Sequence, residues 1–275
     1  MGPFYLMESE TEAKRLLIKS DHRKTAVQLK ATGILSLEDG ALVVDAGSGV
    51  GHVAEVMGRL LKQKSNSPHV TLLDYSADRL AEAKQRLLAD QQVNYQYVSC
   101  DLGHIPLASE SVDYLFCRFV FEYLADPQTV FNELYRIVKP GGKLVIGDLD
   151  YNCMTHYPLY PKLEEGLFSV VRILQENNLL DPHAGRKLYS FFHRAQLADI
   201  KVHFYAHHLF YGELSEADEF NWLAKLDRLM EHQKKGTIQF DFDLMGFKNL
   251  FLDFLKSPGR FSYTPLILVE GRKPE

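Results

Sequence analysis

No run of 18 apolar residues occurs in this 275-residue chain. The nearest approach, YLFCRFVFEYL, is broken by Arg118 and Glu122, so no membrane span is expected. A basic surplus is also missing: 31 Lys and Arg stand against 36 Asp and Glu, with a net charge of −5 and a pI near 6.1. That balance offers no field for a phosphate backbone, so no nucleic-acid partner is expected. Cysteine is scarce. Cys100, Cys117 and Cys153 show neither CxxC nor zinc spacing and read as reduced, mostly buried thiols of a cytoplasmic protein. The opening MGPFYLMESETEAKR has no basic n-region and no apolar h-region, so no signal peptide is expected. Repeats and low-complexity tracts are absent. So are H-E-x-x-H, G-x-S-x-G and the P-loop, which removes the common zincin, hydrolase and NTPase classes. No metal is expected: His207 and His208 alternate across a strand, and Asp148 and Asp150 read as turn-forming carboxylates. Nothing in the pattern sets an oligomeric state.

What is present is alternation. ALVVDA (41–46), HVTLLD (69–74), NYQYVSCD (94–101), VDYLFCR (112–118) and GKLVIGDLD (142–150) read as strands. Helices lie between them. Val53, Val56, Met57, Leu60 and Leu61 recur at helical spacing. Ser76 is placed to cap a helix over 77–89. Asp126 and Pro127 start another, which ends at the turn Lys139-Pro140-Gly141-Gly142. One domain is expected over 1–275, with an N-terminal helical cap at about 1–38 and an α/β core at about 40–150. Helical inserts follow at about 151–198 and 212–258, with closing strands at about 200–209 and 261–271. Strand–helix alternation with short loops predicts a seven-stranded, mostly parallel sheet with helices on both faces and helical cap inserts.

The stretch Asp45-Ala-Gly47-Ser48-Gly49-Val-Gly51 carries the chemistry. Glycines after a first strand let a ligand approach the backbone, and the next helix aims free N–H groups at it. Asp74 ends the second strand, where a carboxylate can accept from both hydroxyls of a ribose. The dinucleotide pattern G-x-G-x-x-G is not met, because its last place holds His52.

The pieces VVDAGSGVG, LLDYSADRL, SCDLGHIPLASESVDYLFC and DPQTVFNELYRIVKPGGKLVI resemble the class I S-adenosylmethionine (SAM)-dependent methyltransferases over about 41–150. The last two look most like the branch with the ubiquinone and menaquinone biosynthesis methyltransferases. The resemblance implies a Rossmann-like fold, SAM as cofactor and a small-molecule methyl acceptor. It places Gly47, Ser48 and Gly49 under the methionine part of SAM and Asp45 at its amino end. Asp74 would hold the ribose, Tyr75 flank the adenine, and Asp101 with the Leu102 backbone meet its amino group. The Arg118 backbone would border the methionyl group. No N/D-P-P-Y/F pattern follows strand four, which reads Cys117-Arg118-Phe119-Val120, so oxygen or carbon is favoured over nitrogen as the methylated atom. The acceptor pocket is expected over the carboxyl ends of the strands, with His156 as general base and Tyr151 and His183 as further catalytic candidates. The alternatives are a non-catalytic SAM sensor or scaffold, a nucleotide-dependent oxidoreductase and an RNA methyltransferase. A basic residue of the segment 8–32, among Arg15, Arg23 and Lys24, is a candidate to reach the SAM carboxylate.

Overall fold

The computed structural model describes residues 21–151 and 154–275. Arg15, Leu16 and Leu17 of the expected N-terminal helix, and Cys153, fall outside the described residues. Five parallel strands form the frame: β1 (Leu42–Ala46), β2 (His69–Asp74), β3 (Asn94–Ser99), β4 (Val112–Arg118) and β5 (Val138–Leu149), in the order 3-2-1-4-5. β8 (Phe261–Arg272) runs antiparallel to β5, and β7 (Ala198–Tyr211) pairs with β8 in turn. A two-residue strand, β6 (His156–Tyr157), joins β8 opposite β7 and makes an eighth. The seven longer strands are those read from the sequence.

Successive strand residues face opposite sides, and two cores follow. On one side, α4 (Pro127–Ile137) and α6 (Ala184–Arg194) bury Phe131, Leu134, Leu188 and Phe192 against Leu115, Leu144 and Val269. On the other, α1 (His22–Ala31), α2 (His52–Leu61) and α3 (Ala77–Leu87) bury Leu29, Met57 and Leu80 against Val43, Leu72 and Phe116. The expected caps form: Ser76 Oγ accepts from the Arg79 N–H at 3.3 Å, and Asp126 Oδ1 from that of Thr129 at 3.1 Å. A third core joins α5 (Pro161–Glu176), α7 (Glu216–Lys235) and α8 (Leu244–Lys256) around Trp222, Phe247, Phe251 and Phe254. This is the helical cap that the inserts were expected to supply. Among the described residues no helix is long and apolar enough to cross a membrane.

One boundary differs. Lys139-Pro140-Gly141-Gly142 reads locally as a turn, yet β5 already starts at Val138. The Gly141 N–H donates to the Lys273 carbonyl at 2.8 Å, and the Lys273 N–H to the Gly142 carbonyl at 3.0 Å. A partner more than 130 residues away extends the strand, which no local turn signal reveals.

Gly51 joins the loop after β1 to α2. Its φ is +76°, and an added Cβ would lie 3.0–3.3 Å from Ala83, Leu87 and Leu72. Gly51→Ala is therefore expected to destabilise the fold by about 1–3 kcal/mol through backbone strain and crowding. Urea unfolding measures this, and an unchanged midpoint would contradict the packing described.

Candidate cofactor and acceptor site

The carboxyl ends of β1, β2 and β4 converge on the glycine loop. Gly47 (φ +71°) turns the chain so tightly that an added Cβ would lie 2.3 Å from Val120 Cγ2. The loop is tied to β2 by the Gly47 and Ser48 N–H groups, which donate to the Leu73 carbonyl at 2.8 and 3.0 Å. Asp74 fixes its far side: Oδ2 accepts from the Gly49 N–H at 2.7 Å and Oδ1 from the Ser76 N–H at 2.9 Å. Each carboxylate oxygen has a second lone pair, so Asp74 can hold the loop and still accept from ribose hydroxyls.

Asp45 is buried and accepts from the Ala54 N–H in the first turn of α2 at 3.0 Å. It therefore serves that helix end as well as facing the loop. Burial raises its carboxyl to about 7, against the lowering influence of the Arg118 guanidinium. Tyr75 is half exposed at the end of β2. Register pairs Asp74 with Ser99, which brings Asp101 and the buried Leu102 to the same edge. Asp101 Oδ1 accepts from the Gly103 N–H at 2.8 Å and shapes that turn. Its Oδ2 accepts nothing among the described residues.

Sequence reasoning left the Arg118 side chain without a role, and the structure supplies one. The guanidinium is held inside by Gln28 Oε1 and by Thr25 Oγ1 of α1, and stacks 4.8 Å from the Phe119 ring. Burial lowers it to about 10, with Asp45 opposing the fall. His52 lies beside it, Nε2 3.2 Å from Thr25 Oγ1, and burial followed by the Arg118 charge lowers its pKa to about 3. His22 Nε2 meets Glu55 Oε2 at 3.1 Å. Helix α1 is thus pinned over the β1–β4 edge by Thr25, Gln28 and His22, none of which the sequence singled out. An arginine inside an otherwise apolar strand end was the available signal. Arg23 and Lys24 belong to the α1 capping turn, where their N–H groups donate to Asp21.

The acceptor candidates separate into two places. Tyr151 (φ +51°) and His183 sit with ring centroids 5.2 Å apart. They line a cavity of about 310 Å³ just beyond β5, with Met154, Phe168 and Arg172. Arg186 stacks 4.9 Å from the Tyr151 ring and holds Asp150 by two bonds of 2.7 and 2.9 Å. His156 is elsewhere, which corrects its grouping with the other two. Its Nδ1 lies 2.8 Å from Ser262 Oγ, and its ring packs on Phe251 and Phe254 at 5.4 and 5.3 Å. The pairing of β6 with β8 carries it into the cap core rather than to the cavity. Asp148 is fully buried and accepts from the Glu122 N–H at 3.0 Å. Burial and the Glu122 carboxylate push its pKa well above the usual carboxylate value.

These features suit a SAM-sized ligand. Ser48 Oγ and Arg118 Nε are buried without a partner, and the space above Gly49 is open. A parallel sheet with one antiparallel closing strand, a glycine loop and Asp74 at the end of β2 together form an α/β edge suited to a nucleoside-sized ligand. Residues 44–146 match the family model described as a methyltransferase domain. Malonyl-(acyl-carrier protein) O-methyltransferase of Marinomonas sp. (strain MWYL1) is 30% identical over 135 residues, covering 49% of this chain and 47% of that protein. Arsenite methyltransferase of Halobacterium salinarum is 26% identical over 114 residues, 42% of this chain and 28% of that one. The chain spans about half the length, or less, of the curated relatives it matches. The fold is shared with a Haemonchus contortus phosphoethanolamine N-methyltransferase 2 in complex with S-adenosylhomocysteine (SAH) and phosphomonomethylethanolamine. Its TM-score is 0.58 at 19% identity, covering 98% of this chain and 59% of that one.

Proposed function

We infer that the chain transfers the methyl group of SAM to a small organic acceptor, at oxygen or carbon. The observation that carries this reading is the Asp74-braced glycine loop, with the unpartnered Ser48 hydroxyl beside it, inside the matched domain. SAM bound there supplies an electrophilic methyl on a sulfonium that is already a good leaving group. The protein's part is to bind, orient and exclude water. Gly47, Ser48 and Gly49 cradle the methionyl arm, Asp45 faces its amino group, and Asp74, Tyr75, Asp101 and Leu102 hold the nucleoside. The cavity beside Tyr151 and His183 takes the acceptor. His183, whose Nδ1 is buried without a partner, accepts the acceptor's proton, and Tyr151 orients the acceptor.

The similarity to malonyl-(acyl-carrier protein) O-methyltransferases favours oxygen, which is the better supported choice. The missing N/D-P-P-Y/F pattern disfavours nitrogen. Incubation with SAM and a panel of carboxylic acids, phenols and quinols, followed by mass spectrometry for SAH and methylated product, tests the reading. SAM binding with no SAH from any acceptor would favour the sensor alternative, and no SAM binding at all would end both. With a turning-over acceptor, His183→Ala is expected to lower kcat by roughly 10²-fold with SAM affinity unchanged. A near-normal kcat would leave catalysis to positioning alone.

A further inference from the structure

Deep in the cap, between the end of β7 and the start of β8, lies Arg260. It is 2% exposed, the largest fully buried side chain described. Its Nη1 donates to the Gly212 carbonyl at 2.6 Å and to that of Ser257 at 3.4 Å, while Nε and Nη2 have no partner. Those two nitrogens form one edge of the guanidinium, the edge that fits a carboxylate by two parallel bonds. Among the described residues the same edge is used twice. Arg136 holds Glu133 through Nε and Nη2 at 2.8 and 2.9 Å, and Arg186 holds Asp150 at 2.7 and 2.9 Å. No carboxylate of the described residues takes this role for Arg260. Asp218 influences its charge but forms no ion pair with it. A buried cation without a counter-charge is costly, and an arriving anion removes that cost.

A second observation lies in the same cluster. Trp222 is 3% exposed with Nε1 unpartnered, and His208 is 8% exposed with both ring nitrogens unpartnered. His208 sits at a bulge in β7 with φ +48°. A row of rings leads from the glycine-loop edge to Arg260. Phe119 is 5.0 Å from His207, His207 is 4.2 Å from His208, and His208 is 5.7 Å from Trp222. Trp222 is 6.2 Å from Phe210, whose ring lies 5.6 Å from the Arg260 guanidinium.

We propose that the cap contains a carboxylate-binding site on the Nε/Nη2 edge of Arg260, and that its ligand is an organic acid with an apolar body lying along Phe210 and Trp222. On the methyltransferase reading above, on which this last step rests, that acid is the methyl acceptor. Its carboxylate is then an anchor rather than the methylated group. Arg260 directly precedes β8 and lies five residues before Pro265, whose carbonyl accepts from the Asp150 N–H just past the end of β5. At the rise of a strand, that is up to about 17 Å.

Trp222 is the chain's one tryptophan, so its emission reports on this cluster alone. The full chain, saturated with SAH at neutral pH, is titrated with octanoate and separately with 1-octanol, which has the same apolar length and no charge. Octanoate is expected to shift the emission saturably at a concentration at least about tenfold below octanol, the scale of a charge-assisted pair of hydrogen bonds. Arg260→Lys keeps a cation for the Gly212 carbonyl but loses the two-nitrogen edge. It should raise the octanoate midpoint about tenfold and leave the octanol midpoint and SAH affinity within about twofold. Equal octanoate and octanol midpoints in the wild type would overturn the proposal, as would an octanoate midpoint in Arg260→Lys within about twofold of the wild type. If that variant does not fold, the wild-type comparison decides. Calorimetry of SAH on the same samples keeps the two readings apart: absent SAH binding defeats the methyltransferase reading, and absent discrimination between the probes defeats the carboxylate site.

Discussion

Asp74→Ala is expected to weaken SAH binding by roughly 10–100-fold, the range for losing hydrogen bonds to a charged group. Two effects act together. The carboxylate no longer offers lone pairs to the ribose, and the Gly49 N–H loses its 2.7 Å partner, so the loop has to be ordered by the ligand. Asp74→Asn keeps an acceptor oxygen for one of the two N–H groups and should lose less. Calorimetric titration of folded variants decides the matter. An SAH affinity for Asp74→Ala within about threefold of the wild type would remove Asp74 from the nucleoside site.

Opposite pH dependences of stability are expected from His52 and Asp45. His52 falls from 6.5 to about 3 through burial and then the Arg118 charge. Between those values the unfolded chain binds the extra proton, so stability rises with pH and is lost as pH falls from 6.5 toward 3. Asp45 rises from 3.8 to about 7 through burial. Between those values the native state binds the extra proton, so stability falls as pH rises from 3.8 toward 7. Each group acting alone has a slope of about 1.4 kcal/mol per pH unit, and together they nearly cancel between pH 4.5 and 6. Asp45→Asn should therefore expose a positive slope and His52→Gln a negative one. Urea unfolding across that window shows whether the two variants diverge. Parallel slopes would mean that the buried Asp45–Arg118–His52 group does not titrate as its burial demands.

The alternation of strands and helices from 41 to 150 was legible because parallel strands buried on both faces read as apolar runs, and Ser76, Asp126 and Pro127 act on their own helices. The loop residues were legible for the same kind of reason: Gly47 and Gly51 adopt positive φ, and the composition shows it. Asp74 followed from where a strand ends, and Asp101 from the family resemblance. Long-range partners were not legible. Residues 139–142 look like a turn until Lys273 pairs with them, and His156 looks like a free base until β8 draws it into the cap.

By itself the sequence determined the order of the elements and the two-sided sheet, since each depends on spacing within about ten residues. Only the tertiary structure decided which polar side chains share a buried space. It placed Arg118 against Asp45, Thr25 and Gln28, paired Tyr151 with His183 beside a cavity, and left one edge of Arg260 without a counter-charge. The physical reason is that burial and charge pairing are set by distance in space. Residues 25 and 118, or 151 and 183, meet only when separate elements dock on the same edge of the sheet.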